Sequence, residues 1–243
     1  RSIVKYIKSK KLVTYGIREN SNFQAKNIRI QKKSSSIFDL VINLEKKQKI
    51  KNLKVPLIGN HNILNTLAAI SVAYQLKIPL TKIIGGLESF NGVKRRFSIL
   101  YQKNTNLIID DYAHHPNEIK NTLNSLKAIT KNKIIAVFEP HRYSRINKFM
   151  GEFIKSFSRV DYIFVLPIYS AGEKNHKKIN NIKISNLLKK TFKKKKIFAP
   201  SNEEEMFKDL KNLLIKDNNL IFLGAGQSSQ IAHRFVDIIN YNV

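Results

Sequence analysis

Apolar residues in the first part of the chain come in short stretches, 12–17, 28–30, 37–42 and 53–57, separated by polar turns. Such stretches bounded by turn residues predict β-strands. Beyond Gly59 the period changes: Leu64, Leu67, Ala68 and Val72 share one face at helical spacing. A helix is therefore expected over residues 59–75, and a second short one over about 80–89 after the turn at Pro79. From Phe97 onward strand and helix alternate. The apolar run 107–109 precedes a helix opened by Pro116, a favoured first-turn residue, with Ile119, Leu123 and Leu126 turned inward. Strand 134–138, a helix near 145–157 and strand 162–166 continue the series. A long polar loop, a helix near 184–190, strand 196–198, a helix near 203–214, strand 220–223 and a helix from about Ser228 complete it. Uniformly apolar strands separated by helices imply an α/β fold with a parallel sheet covered on both faces.

At 243 residues and 42% hydrophobic content the chain has room for one large or two modest domains. No repeat or long linker interrupts it. The apolar runs fall far short of the roughly 20 residues that cross a bilayer, so no membrane span is expected. The stretch 1–6 has no initiator Met, no apolar signal core and no small-residue cleavage site, which suggests a piece of a longer protein and gives no argument for export. The absence of Cys rules out a disulfide framework and a thiolate metal site, and fits a cytoplasmic location.

The net charge of +27 makes nucleic acid the first partner to consider. Its distribution argues against that. Lysines outnumber arginines 35 to 9 and are spread along the chain among 26 Asn, the pattern of drift at exposed positions rather than of a shaped binding surface. The densest run, Lys189, Lys190 and Lys193 to Lys196, reads as a solvated helix end and loop.

In parallel sheets ligands gather at the carboxyl ends of the strands. Just past the expected strands stand Asp110-Asp111-Tyr112-Ala113-His114-His115-Pro116, Glu139-Pro140-His141-Arg142-Tyr143-Ser144-Arg145, Pro167-Ile168-Tyr169-Ser170-Ala171-Gly172-Glu173 and Gly224-Ala225-Gly226-Gln227-Ser228-Ser229. Packing alone does not explain such a concentration of His, Arg and Asp in the first two loops. Asp111 is a candidate helix cap or a ligand contact. His114 and His115 are ordinary loop residues or line a site; as metal ligands, an Asp-x-x-x-His pair such as Asp111 and His115 lacks an obvious third partner. Arg142 and Arg145 stand at a helix start, where the dipole disfavours positive charge, which is easier to understand if an anion sits there. Gly224-Ala225-Gly226 either cradles phosphate or makes a tight strand-to-helix turn. Upstream, Asn62 and Asn65 at a helix start could pair with a base edge, or one of them could cap the helix. Lys94-Arg95-Arg96-Phe97 lies where the two halves join, suited to an anion contact or to plain surface.

Together these segments resemble the Mur ligase family. Gly59-x-His61-Asn62-x-x-Asn65-Thr66-Leu67-Ala68-Ala69 is similar to its nucleotide-side helix and Lys94-Arg95-Arg96-Phe97 to its hinge. The loops at 110–116 and 140–145 resemble the L-alanine-adding branch. The likeness runs from about residue 11 to the end. It implies that 1–97 is the back part of a central ATP-binding domain of P-loop type, and 98–243 a C-terminal Rossmann-like, doubly wound, mostly parallel domain that binds amino acid and substrate. The implied reaction belongs to peptidoglycan synthesis: ATP phosphorylates the lactyl carboxylate of UDP-N-acetylmuramate, and L-alanine displaces the phosphate to form an amide. By the same resemblance Asn62 and Asn65 contact adenine with His61 adjacent, Arg96 reaches the terminal phosphate, and Asp111 holds the ribose. His114, His115, Arg142 and Arg145 line the amino-acid and muramoyl side, either histidine facing the substrate. Position 60, Asn here, is commonly Arg in the family.

None of the nine glycines is followed by Lys, so the family's glycine-rich phosphate loop is missing. That loop, the UDP-binding domain and the main magnesium ligands are expected in an N-terminal part of the same enzyme, and the chain alone is expected to be inactive. Two alternatives stand beside this reading: a relative that attaches a recycled peptide, and a non-catalytic basic module contacting nucleic acid or an anionic surface.

Overall fold

The computed structural model describes residues 12–18, 20–31, 35–215 and 218–241; the stretch 1–6 read above lies outside them. The chain divides into two compact units, Arg1–Gly92 and Val93–Val243.

In the first unit β1 (Tyr15–Gly16), β2 (Phe23–Gln31), β3 (Ser35–Ile42) and β4 (Gln48–Val55) form one sheet in sequence order. β1 pairs parallel with β2, and the other neighbours are antiparallel. Helices α1 (Asn60–Gln75) and α2 (Leu80–Glu88) pack on it. Phe23, Phe38, Leu40, Ile42, Leu53 and Val55 from the strands meet Ile63, Leu67 and Ile70 of α1 and Ile83 of α2. The inward stripe of α1 is turned from the expected one, for Val72 is 60% exposed while Ile63, Leu67 and Ile70 are buried. Ile63 and Ile70 bracket Leu67 at helical spacing, and that stripe faces the sheet more fully than the expected one.

The second unit is a six-stranded sheet built from β5 (Ser98–Lys103), β6 (Asn106–Asp111), β7 (Ile134–Phe138), β8 (Tyr162–Val165), β9 (Lys196–Phe198) and β10 (Asn219–Leu223). Its order is β5-β6-β10-β7-β8-β9, all parallel except β5, which runs antiparallel to β6. The interleaved helices are α3 (Pro116–Ile129), α4 (Tyr143–Lys148), α5 (Met150–Ser156), α6 (Asn181–Thr191), α7 (Glu203–Leu214) and α8 (Ser228–Tyr241). Every residue of β7 and β10 is buried, as strands covered on both faces require. On one face Met206, Phe207 and Leu210 of α7 and Ile231 and Phe235 of α8 pack against Ile135, Val137, Leu220 and Phe222. On the other, Phe138 meets Phe153 of α5 and Phe157 just beyond it.

Three features depart from the sequence reading. Edge strand β5 carries the mixed pattern Ser-Ile-Leu-Tyr-Gln-Lys, mostly half-buried or exposed, so no apolar run announces it. The helix expected at 145–157 is two short ones meeting at Phe149, whose φ of −118° and ψ of 24° interrupt the helix. Residues 93–97, grouped above with the first part, are held by the second: Tyr112 N–H donates to the Arg95 carbonyl at 2.7 Å, and the Arg95 guanidinium to the Gly224 carbonyl at 2.8 Å. Among the described residues no helix is long and apolar enough to cross a membrane.

Because β10 lies between β6 and β7 and all three run parallel, their carboxyl ends adjoin, and the loops that follow them share one edge. Phe138 ends β7 at that edge. Phe138→Ala should lower the stability of the second unit by about 3–5 kcal/mol, read from the urea midpoint; a loss under about 1 kcal/mol would show the packing to be dispensable.

Candidate functional site

Two acidic residues end β6, and burial gives each a structural task. Asp110 is 1% exposed; it accepts Ser229 Oγ–H at 2.6 Å and faces the Arg95 Nε at 3.9 Å. Asp111 is 4% exposed and takes the N–H of Phe97 on one oxygen at 2.7 Å and that of Ala113 on the other at 2.8 Å, with Thr122 Oγ at 3.3 Å. Burial pushes the Asp111 carboxyl up to about 6, opposed by these N–H groups and by the Arg96 charge. The helix cap considered for Asp111 is taken instead by His115, at the N-cap of α3.

Asp111 thereby pins a basic turn. Arg95 and Phe97 adopt positive φ of 60° and 52°, and Arg96 between them is exposed. Both guanidiniums approach the Tyr112 ring, at 4.8 Å for Arg95 and 5.5 Å for Arg96. Tyr112 meets His114 edge-on at 5.1 Å; His114 lies 5.4 Å from His141, which stacks on Tyr169 at 5.3 Å. One continuous row of rings thus joins the loops after β6, β7 and β8. His115 stands apart from this row, its ring edge-on to Phe149 at 4.9 Å. Glu118 accepts the N–H groups of His114 and His115 at 3.1 and 3.3 Å, fixing the start of α3.

The two glycines after β10 answer to a protein anion. Glu139, 4% exposed, accepts N–H groups from Gly226 at 2.9 Å, Gln227 at 2.8 Å and Ser228 at 3.3 Å. That carboxylate occupies the nest that a phosphate would need, so the tight-turn reading of Gly224-Ala225-Gly226 holds. A Cβ at Gly224 would come within 2.8 Å of the Glu139 side chain, and one at Gly226 within 2.7 Å of the Tyr169 ring.

An internal carboxylate also meets the arginine loop. Arg142 has φ 67° and ψ 127°, a sparsely populated conformation for a residue with a side chain, held by its N–H to the Tyr169 carbonyl at 2.9 Å. Glu173 accepts both the N–H (2.9 Å) and Oγ–H (2.7 Å) of Ser144 and lies 3.9 Å from Arg142. These bonds hold its carboxyl below the usual range. Arg145 reaches back to His141 Nδ1 at 3.3 Å. Burial, then the charges of His114, Arg145 and Arg142, lower the His141 pKa to about 4. An open cavity of about 510 Å³ between α4 and the loop after β8 is lined by Tyr143, Ser144, Lys148, Glu173 and Lys177 among others.

In the first unit Gly59, with φ 98°, precedes α1, whose opening turn carries the remaining candidates. Asn62 is buried and gives its amide N–H to the Ile58 carbonyl at 2.9 Å, whereas Asn65 is exposed and His61 half-buried. Among the described residues no group of three or more His, Asp and Glu is placed to hold a metal ion.

The structure therefore brings His114, Arg142 and Arg145 to one edge of the second unit, with Asp111 and Arg96 at its basic turn. It adds Glu118, and it gives individual parts to Tyr112, Glu139, His141, Tyr169 and Glu173, which sequence reasoning named only as members of the strand-end loops. Two of these had a signal. Glu118 follows His115 by three at a Pro-marked helix start, and Glu173 is an acidic residue within the loop after β8.

Residues 95–226 match the family described as Mur ligase, glutamate ligase domain, and residues 1–73 the Mur ligase middle domain. The chain is 39% identical to the UDP-N-acetylmuramate–L-alanine ligase of Hydrogenobaculum sp. over 97% of its own length and 50% of the relative's. With the same enzyme of Pelagibacter ubique it shares 37% identity over 98% of its length and 52% of the relative's. The UDP-N-acetylmuramate–alanine ligase structure from Thermotoga maritima superposes with a TM-score of 0.74 at 27% identity, covering 95% of this chain and 48% of that one. The chain thus spans about half the length of the curated relatives it matches.

Asp111→Asn supplies one acceptor where two N–H groups need one each, and should cost the second unit about 1–3 kcal/mol in urea unfolding. A pH signature accompanies it. The raised Asp111 pKa contributes stability that is present below its unfolded value of 3.8 and lost as pH rises through about 6. The lowered His141 pKa acts oppositely, its contribution present above 6.5 and lost as pH falls through about 4. Removing Asp111 leaves the His141 effect unopposed, so the urea midpoint of the variant should fall more steeply from pH 6.5 to 4 than that of the parent; parallel curves would count against both assignments.

Proposed function

The chain belongs to the Mur ligase family, and we propose that it forms the back part of an ATP-dependent amide ligase of peptidoglycan precursor synthesis that joins L-alanine to UDP-N-acetylmuramate in the cytoplasm. The observation that carries this reading is the meeting of His114, His141, Arg142 and Arg145 at the carboxyl edge of the second unit's sheet. It occurs in a chain 39% identical, over almost its full length, to an enzyme of that name.

The chemistry asks for positioning and charge neutralisation more than for covalent help. ATP converts the lactyl carboxylate to an acyl phosphate. The amine of L-alanine then attacks the acyl carbon, and phosphate leaves as the amide forms. Exposed Arg96 is suited to the negative charge of the transferred phosphoryl group, and Tyr112 and Asp111 hold the turn that presents it. A ribose hydroxyl would reach Asp111 only through lone pairs that the Phe97 and Ala113 N–H groups leave open. In the first unit Asn65 takes the adenine contact with His61 beside it, while Asn62 holds the opening turn of α1 through Ile58. Arg142 and Arg145 receive the carboxylate of the amino acid, a role for which guanidinium geometry is well matched. Magnesium has no cluster of acidic side chains among the described residues, so no step is assigned to it here.

Mixing this chain with protein made from the coding sequence immediately upstream, together with ATP, magnesium, UDP-N-acetylmuramate and L-alanine, should yield UDP-N-acetylmuramoyl-L-alanine. The chain alone should yield none. Arg142→Ala should lower kcat/KM for L-alanine by about 10- to 100-fold, the worth of one charged hydrogen-bonded contact. Absence of product from two folded pieces would sink the proposal. Faster turnover with a muramyl-derived peptide than with L-alanine would move it to the recycled-peptide branch.

A further inference from the structure

The hydrogen bonds around His114 and His141 fix opposite polarities on two neighbouring rings. The Tyr112 carbonyl can only accept, so His114 Nδ1, 2.9 Å away, carries the hydrogen and Nε2 carries the lone pair. Glu118 Oε2 lies 3.5 Å from the same Nδ1 and is itself fixed by the N–H groups of His114 and His115. A proton arriving on Nε2 would therefore create an imidazolium already backed by a carbonyl and a carboxylate, the arrangement that lets a histidine act as a base. The Arg145 guanidinium can only donate, so His141 Nδ1 at 3.3 Å accepts and its hydrogen sits on Nε2. Burial, and then its cationic neighbours, keep this ring neutral. His114 also abuts the Tyr112 ring, and His141 stacks on Tyr169.

We propose that His114 and His141 work as an acceptor and donor pair, 5.4 Å apart between ring centres, on the reacting amine and acyl group. This rests on the ligase reading above and decides between the two adjacent histidines: His115 belongs to the helix start and to Phe149. L-alanine arrives as an ammonium ion, which has no lone pair with which to attack. One ammonium proton passes to His114 Nε2. The freed pair forms the C–N bond, while His141 Nε2–H donates to the acyl oxygen that gains charge in the tetrahedral intermediate. The C–O bond to phosphate then breaks with its electron pair on phosphate, the nitrogen gives its surplus proton to water or to that phosphate, and His114 returns its proton to solvent. The groups that face His114 are Glu118, Tyr112 and His141, with Arg142, Arg145 and Glu173 around His141.

Nitrogen-15 spectra of the histidine-labelled 243-residue chain, assigned with His114→Gln and His115→Gln, test the pair without any turnover. Expected are the Nδ1–H tautomer at His114 and the Nε2–H tautomer at His141, with millimolar L-alanine moving the signals of both. Reversed tautomers, or an L-alanine response at His115 and none at His114, would overturn the proposal. In the two-piece ligase, His114→Gln should lower kcat by about 100-fold, within the usual range for a general base, with KM for L-alanine held within about twofold and the acid limb of the kcat profile lost. Undiminished kcat would also overturn it. A wild-type mixture that makes no product would instead defeat the ligase reading, leaving the tautomers and the alanine response to judge the pair.

Discussion

The carboxylate of Glu139 is the constraint on which the edge of the second unit depends. It stands where β7 ends, is nearly sealed from water, and receives three successive N–H groups from the turn between β10 and α8. A buried carboxylate is costly unless such donors surround it, and those donors would themselves be orphaned at a helix start without it. The same side chain sets how closely the turn approaches Tyr169, and Tyr169 supports His141. The placement of the imidazole row thus follows from a contact that involves no substrate.

A second internal pairing works the same way across β6. Asp110 and Asp111 face in different directions, one to Arg95 and Ser229, the other to the backbone on either side. Between them they hold residues 95–97 against the sheet edge. Arg95 is consumed in this task and Arg96 is left exposed, so two adjacent and chemically identical side chains take opposite parts because the backbone is left-handed on either side of Arg96.

Much of the fold was legible because its signals are local. Apolar runs at 134–138 and 220–223 are too short for helices and lie between helical patterns, which marks them as buried strands, and Pro116 marked a helix start that the structure places at the same residue. What escaped depends on partners distant in sequence. Strand β5 owes its existence to pairing with β6, not to its own pattern. The break at Phe149 has no Pro to announce it, the nearby Gly151 lies inside α5, and Phe149 meets His115, thirty-four positions earlier in the chain. For the site, residue types at strand ends drew the eye to the right loops. Which carboxylates would be spent on protein donors, and which histidine would leave the helix start, could not be read from the chain, since these follow from hydrogen bonds that close only in three dimensions.

The close approach of Gly224 and Gly226 to Glu139 and Tyr169 also bears on how such a loop changes over generations. A methyl group at either glycine collides with a side chain whose position is set by the other partners, so a substitution at either glycine needs a matching change in the side chain it meets. Positions 139, 169, 224 and 226 should therefore vary as a linked set across descendants, an inherited lock whose members lie far apart in the gene and together in space.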